Sequence, residues 1–404
     1  MNVDLMRKID YYAGVPLCLL TTLLVKILPK RRAQWPKKVL LVELSEMGSA
    51  ILVDPAMQKL KTQLDAELFF VIFAKNKPSL QLLNTVEDRN IFTIRESGLF
   101  TLAYDTLRFL FWTRKQGIDT VIDLELFSRY TALLTGLSGA ANKVGFYAFH
   151  NEGLYRGHML THQVAYNPHM HITRNFIALV NSLTADRPER PYSKTIISDD
   201  EMLLKKAVVH EAEIESIRDR VRKHYPGFDA DKNRIVLINA NASDLLPQRR
   251  WDRKNYAEVA RSILEKYDAT IILLTGSNSE REGLQILCDD VDHERCFNFA
   301  GEAGFKELPA LYSASLLMVS NDSGPAHFAS VTDMPTFVLF GPETPELYGS
   351  LGPTTPIYAG LACSPCVSAW NHRKTACTDN VCLQVITPQQ VIDAVEPLLQ
   401  SAQS

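Results

Sequence analysis

Most of the chemistry legible in this chain lies in eight consecutive residues, Ser320-Asn321-Asp322-Ser323-Gly324-Pro325-Ala326-His327. The apolar run Leu316-Leu317-Met318-Val319 precedes them. A second run, Thr336-Phe337-Val338-Leu339-Phe340, follows and ends in Gly341-Pro342. A buried strand, a tight polar turn, a helix start and another buried strand form the order in which a phosphate cradle is built. Backbone N–H groups left free at the helix start, with hydroxyls and a His beside them, suit an anion. The same order occurs in folds that bind nothing, so the octapeptide takes its meaning from the other strand ends. After Ile235-Val236-Leu237-Ile238 comes Asn239-Ala240-Asn241-Ala242-Ser243, then Gln248-Arg249-Arg250-Trp251. Ser243 supplies a hydroxyl there, and Arg249 or Arg250 a guanidinium able to neutralise a diphosphate. After Ile271-Ile272-Leu273-Leu274 comes Thr275-Gly276-Ser277-Asn278-Ser279-Glu280. A carboxylate just beyond a strand can accept both hydroxyls of a ribose. The plainer reading of Glu280 is a first-turn charge that complements the helix dipole.

The elements that position these groups alternate along the chain. Strands are expected at 39–42, 68–73, 120–124 and 143–147, with helices at 50–64 and 100–115. The alternation restarts with strands at 234–239, 270–275, 296–299, 316–320 and 336–340, and helices at 254–267 and 281–289. Continuous apolar strands separated by helices indicate parallel sheets covered on both faces. The expectation is an α/β protein of two facing Rossmann-like domains, with ligands outside the carboxyl ends of the strands. The stretch from about Ile172 to Ile217 is helical or polar and carries the breaker Arg187-Pro188-Glu189-Arg190-Pro191, so it reads as a connection. The expected division is an N-terminal segment 1–36, a first domain 37–185, a connection 186–225 and a second domain 226–404.

With 404 residues, two domains are the default. The balance of 43 Lys+Arg against 46 Asp+Glu argues against a nucleic-acid binder. The N-terminal segment contains an apolar stretch, Gly14 to Leu28, shorter than the roughly 20 residues of a spanning helix and interrupted by Lys26. Lys30, Arg31, Arg32, Lys37 and Lys38 follow it. A signal peptide carries its positive charges before the apolar run, not after. An amphipathic or apolar helix lying on an anionic leaflet fits this order, with the basic cluster at the headgroups. A helix docked on the protein's own surface is the alternative.

Ser320–His327 followed by Phe340-Gly341-Pro342 resembles the signature of family-nine glycosyltransferases, the ADP-heptose–lipopolysaccharide heptosyltransferases and their relatives. The Arg250-Trp251 turn is similar, as are Leu44-Ser45-Glu46-Met47-Gly48-Ser49 with Pro55 nearby and Val121-Ile122-Asp123-Leu124. The likeness extends from about Lys38 to Leu399. It implies the GT-B fold, with the donor held by the C-terminal half and the acceptor by the N-terminal half, and an inverting transfer that requires no metal or other cofactor. Carried over by position, Asp322, Ser323, Gly324 and His327 contact the donor diphosphate and departing sugar. Arg249 or Arg250 stands for the family's usual Lys, and Glu280 holds the ribose. The implied partners are an ADP-heptose-like nucleotide sugar and a lipid-linked or polysaccharide acceptor, met at the cytoplasmic face of the cell membrane. Backbone N–H groups, a His and an Arg can stabilise a diphosphate leaving group without a metal.

The pattern breaks at one position. Relatives carry an Asp directly after the first glycine as the base for the acceptor hydroxyl, and here that residue is Ser49. A serine cannot replace it without an activator of its own. Glu46 in the same loop and Glu125 after the 120–124 strand are the candidate substitutes, while Asp54 reads as a helix-face residue. On the acceptor side, Asn151-Glu152-Gly153-Leu154-Tyr155-Arg156-Gly157-His158 offers Arg156 or His158 to an anionic group, or is an ordinary loop. Of seven cysteines, four cluster as Cys363-x2-Cys366-x10-Cys377-x4-Cys382 with His372 between them. The first pair has metal-ligand spacing, so a structural metal, such as a tetrahedral zinc site, or free thiols in a stapled loop are all open. The rivals to a transferase are a catalytically silent nucleotide-sugar binder and a sugar-nucleotide epimerase.

Overall fold

The computed structural model describes residues 3–27, 32, 34–149, 155–371 and 373–402. The chain divides into two compact units, Met1–Leu203 and Leu204–Ser404, with the division inside the expected connecting stretch. Each unit contains a six-stranded parallel sheet.

The first unit begins with α1 (Val3–Tyr12) and α2 (Gly14–Ile27), bent by 43° at their junction. The sheet comprises β1 (Lys38–Val42), β2 (Glu67–Phe73), β3 (Ile91–Ile94), β4 (Thr120–Asp123), β5 (Asn142–Phe146) and β6 (His162–Val164). Its order is β3-β2-β1-β4-β5-β6, and Leu40 of β1 lies between Phe69 and Val121. The central strands bury both faces, which explains their unbroken apolar sequences. Helices α3 (Ser49–Leu52), α4 (Asp54–Leu64), α5 (Leu99–Gln116), α6 (Arg129–Leu137) and α7 (Ile172–Asn181) cover the sheet. The one expected helix at 50–64 is therefore two, joined at Val53. α7 packs on α4 and belongs to this unit rather than to a connection.

The N-terminal helices are docked on this unit. Gly14 lies so close to Arg129 that an added Cβ would meet the Arg side chain at 2.8 Å. Gly157, at φ +81°, leaves the same kind of space for the Thr22 hydroxyl, which accepts from the His158 N–H at 3.0 Å. Asp10 accepts from the Tyr130 N–H at 2.9 Å and pairs with Arg129 at 3.4 Å. Cys18, Ala132 and Met159 form a small apolar cluster beneath. The opposite face of α2 is apolar as well, with Leu20, Leu23 and Leu24 about half exposed. No single described helix is long and apolar enough to cross a membrane, although the bent pair together has the length and composition of a broken span. Of the basic cluster, Lys30 and Arg31 lie outside the described residues.

The second unit repeats the topology with β7 (Arg234–Asn239), β8 (Thr270–Leu274), β9 (Cys296–Asn298), β10 (Leu317–Asn321), β11 (Thr336–Phe340) and β12 (Thr354–Tyr358), in the order β12-β11-β10-β7-β8-β9. Helices α8 (Glu211–His224), α9 (Arg253–Lys266), α10 (Arg281–Val291), α11 (Leu308–Ser313) and α12 (Gly324–Ala329) flank it. α8 packs on α11, so the second unit starts earlier than residue 226. In both sheets the strand order reverses beside the first strand of the unit, between β1 and β4 and between β7 and β10. Open α/β sheets bind ligands outside the carboxyl ends of strands at such switch points.

Candidate functional site

At the switch point of the second unit, β10 delivers Asn321 and Asp322, both almost fully buried. Asn321 is an organiser. Its Nδ2 donates to the carbonyls of Ala240 and Asn241 in the turn after β7, at 3.0 and 3.3 Å, and its Oδ1 accepts from the Trp251 N–H at 3.1 Å. The octapeptide and the arginine turn are thereby fixed to each other. The structure separates the two arginines. Arg249 lies beside Asp322, with Nε 3.6 Å from Oδ2, and its Nη2 donates to Glu343 at 2.7 Å. Arg250 turns to the Ala242 carbonyl and to Asp244, a surface pair. Arg249 is therefore the guanidinium adjoining the octapeptide.

Ser323 precedes α12, and its hydroxyl donates to the Asn321 carbonyl at 3.3 Å. Gly324 opens α12, where Phe328 would meet an added Cβ at 3.0 Å. His327 is 8% exposed and its Nδ1 lies 3.3 Å from the Ser350 hydroxyl. Ser243 accepts from the Leu245 N–H and so shapes its own turn. Glu280 closes a capping box, accepting the Ser277 N–H and hydroxyl at 2.7 Å each. That is the plainer of the two roles its position suggested.

The cysteine loop is part of this construction. Ser364 donates to the Gly341 carbonyl, Cys366 and Val367 N–H groups donate to Pro342, and Arg373 pairs with Glu343 at 3.5 Å. Gln248 Nε2 donates to the Cys377 carbonyl at 2.9 Å. Cys363, Cys366, Cys377 and Cys382 are free thiols, and the Cys382 thiol is pushed up by burial. Among the described residues no three His, Cys, Asp or Glu side chains converge as a metal site requires. Of the readings the sequence left open, a structural metal or free thiols, the loop has the second form here, and hydrogen bonds to the 341–342 and 248–250 turns set its path. His372 lies outside the described residues.

The switch point of the first unit holds carboxyl groups. Glu125, just after β4, accepts the N–H groups of Leu44 and Ser45 at 3.1 and 3.3 Å and the Ser45 hydroxyl at 3.0 Å. Glu43, which is 4% exposed, also acts on the Glu125 carboxyl group, in the lowering direction. Burial first, and then the charge of Glu46, push Glu125 above the ordinary carboxyl range. Glu46 in turn accepts from the Ser49 hydroxyl at 3.0 Å. Glu46, Glu125 and Ser49 are thus brought together. Asp54 points elsewhere, fully buried against Thr85 and Gln58.

Arg156 is turned inward. It pairs with buried Asp123 and donates to the Ser128 carbonyl at 2.9 Å and the Thr131 hydroxyl at 3.1 Å. This is a correction to its expected place as an acceptor contact, because Asp123 and its neighbours already occupy the guanidinium. Burial outweighs that arginine and pushes Asp123 up to about 6. His158 stays exposed, with Nδ1 2.5 Å from the Tyr147 hydroxyl. Both line a pocket of about 230 Å³ with Phe146, Phe149 and Tyr155. The segment Asn151–Leu154 lies outside the described residues. Sequence reasoning missed Glu43 and Glu343. Each is a charge placed just after an apolar strand run, the signal that singled out Glu280.

Two parallel-sheet units with polar turns at their switch points define a GT-B-type α/β protein. A family model described as glycosyltransferase family 9 (heptosyltransferase) matches residues 112–376, and the chain belongs to that family. Lipopolysaccharide heptosyltransferase 2 of Salmonella typhimurium is 30% identical over 179 residues, covering 43% of this chain and 49% of that protein. Its Escherichia coli counterpart is 27% identical over 178 residues, with 43% and 49% covered. These matches span about half the length of the curated relatives. The solved structure of E. coli ADP-heptose lipopolysaccharide heptosyltransferase II superposes with a TM-score of 0.67 at 20% identity, covering 91% of this chain and all of that one. An E. coli heptosyltransferase solved with ADP gives a TM-score of 0.61 at 15% identity, covering 89% of this chain and 99% of that one. At those identities the likeness is one of fold.

Proposed function

We propose that this protein transfers a heptose or similar sugar from an ADP-heptose-like donor to a lipopolysaccharide-type acceptor, with inversion and without a metal. The observation that carries the reading is Arg249, held by Asp322 and Glu343 beside Ser323 and His327, in a chain of family nine. A guanidinium with its orientation already fixed needs no reorganisation when charge develops on a departing diphosphate. The relatives are named heptosyltransferases, and one was solved with ADP, which supports a nucleoside diphosphate as the leaving group. In this role Asp322 orients Arg249, while Ser323, the Gly324 N–H and His327 meet the phosphates. Glu280 shapes the Gly276–Ser277 turn on which the ribose rests.

Glu125 serves as the base. It takes the proton of an acceptor hydroxyl, whose oxygen bonds to the anomeric carbon as the bond to the diphosphate breaks. One displacement of this kind inverts the anomeric centre. Burial and Glu46 make the Glu125 carboxyl more basic than an ordinary one, and Ser49 holds Glu46 in place. His158 and Tyr147 are the acceptor contacts. The N-terminal helices bring the first unit to the inner face of the cell membrane, where a lipid-linked acceptor is met. The domains are taken as 1–36, 37–185 and a second domain that begins with α8 rather than at 226.

A thermal-shift series with nucleotides and sugar nucleotides, repeated on Asp322→Ala, tests the reading. A shift with an ADP-sugar that is lost in the variant is the expected result. No shift with any nucleotide defeats the proposal. A shift without transfer to any acceptor favours a silent binder, for which Ser49 in the usual base position is the specific argument.

A further inference from the structure

We propose that α5 is a second lipid-contacting element, so that the first unit meets an anionic bilayer through α5 as well as through the N-terminal helices. The inference rests on the membrane reading above and extends it to an element outside the N-terminal segment.

Phe100, Tyr104, Leu107 and Phe111 follow one another at spacings of four, three and four, which places them on one stripe of the helix. They are 95%, 58%, 68% and 71% exposed. The stripe runs roughly 16 Å along the axis. The opposite face buries Asp105, Phe109 and Thr113 against the sheet. A helix on the surface of a globular unit normally turns charged or polar residues outward, and here the outward stripe is aromatic and aliphatic.

The exposed charges on α5 itself are of one sign. The helix carries a single acid, Asp105, which is fully buried and bound by Arg95 at 2.8 Å and by Arg108 at 3.4 Å. Its remaining charges, Arg108, Arg114 and Lys115, are all cationic. The Arg108 guanidinium lies 5.7 Å from the centre of the Tyr104 ring, a long side chain laid along an apolar surface with its charge at the edge. An aromatic stripe on a helix whose exposed charges are all cationic suits anionic headgroups above an acyl interior. It suits a second copy of the chain poorly, because two such faces would set like charges against each other.

Helix α5 shares a packing partner with the N-terminal helices. Tyr130 of α6 touches both elements. Its N–H donates to Asp10 of α1 and its hydroxyl lies 2.6 Å from the Thr106 hydroxyl of α5. The exposed Tyr11 and Tyr12 at the end of α1 and the stripe on α5 therefore flank one helix.

Vesicle co-sedimentation of the full chain tests this, using phosphatidylcholine vesicles with and without phosphatidylglycerol. Two double variants are compared with the unaltered protein, Phe100→Glu/Phe111→Glu on α5 and Leu20→Glu/Leu24→Glu on α2. All four positions are about half exposed or more, and an unchanged melting temperature verifies that each variant is folded. The milder Phe100→Ser/Phe111→Ser substitutes if the charged α5 variant melts early. We expect binding that depends on phosphatidylglycerol and falls about tenfold or more in the α5 variant as well as the α2 variant. If only the α2 variant loses binding, the N-terminal anchor stands and the α5 proposal is overturned. If the unaltered protein binds neither vesicle, both readings fall. If the unaltered protein dimerises and the α5 variant is monomeric with undiminished vesicle binding, the stripe is an interface between copies and the proposal is likewise overturned.

Discussion

The two sheets share one strand order yet close their switch points with different chemistry. In the second unit, Arg249 sits between Asp322 and Glu343, and Arg373 joins from the cysteine loop, so the charges offset one another. In the first unit, Glu125 interacts with the carboxyl groups of both Glu46 and Glu43. A compensated arginine keeps its charge and geometry at any working pH, as a phosphate contact needs. Buried carboxyl groups set close together hold a proton more tightly than usual, which suits a general base. One topology thus sets cations among acids at one switch point and acids among themselves at the other, and the proposed reaction uses the first for the diphosphate and the second for the proton.

The comparison breaks most visibly at Glu125. Glu125→Gln should lower kcat by about 10²–10⁴ while leaving nucleotide affinity unchanged, and Glu46→Gln combined with it should abolish turnover. Steady-state kinetics alongside nucleotide titration measures both, and undiminished turnover in the double variant removes these carboxylates from the mechanism. Arg249→Ala should do the reverse, raising KM for the donor. It also leaves Glu343 and Asp322 without their main cation, which costs about 3–5 kcal/mol of stability, visible in a denaturant titration. A melting curve matching that of the unaltered protein would show that the acids do not depend on Arg249.

The pH dependence sharpens the contrast. A base works deprotonated, and Glu125 is shifted upward by burial and by Glu46, so activity should fall with decreasing pH at values above the ordinary carboxyl range. Asp123, at about 6, lies nearby and its ionisation contributes to the same limb. Glu46→Gln removes a neighbouring negative charge and should move that limb to lower pH, whereas nucleotide binding should stay flat across it. A smaller effect is expected from Ser49→Asp, which restores the family's usual residue but adds a fourth acid beside Glu46. Activity should change by no more than about tenfold, with the acid limb moved upward. The smallest belongs to Cys363→Ser, an exposed thiol, for which metal analysis should find no metal lost and titration no change in affinity.

Much of this was legible in the sequence, for identifiable physical reasons. Strands at 234–239 and 336–340 stand where their apolar runs placed them, because a parallel strand covered on both faces admits little else. β12 escaped because Pro356 interrupts it, which an edge strand tolerates, and β3 and β6 are short, at four and three residues. Motif spacing pointed to the octapeptide and to the arginine pair but not to which arginine mattered. That depended on Asn321 tying two turns together and on Glu343, whose partner is 94 residues away. The interaction of Glu43 with Glu125 is of the same kind, since parallel register, rather than local sequence, brings the ends of β1 and β4 side by side.

Calorimetric titration of ADP into the unaltered protein, Arg249→Ala and Glu125→Gln tests the division of labour most directly. The account predicts ADP binding to the unaltered protein, an affinity about tenfold or more weaker in Arg249→Ala, and an affinity in Glu125→Gln equal to the unaltered value. ADP binding that survives Arg249→Ala and is lost in Glu125→Gln would contradict it.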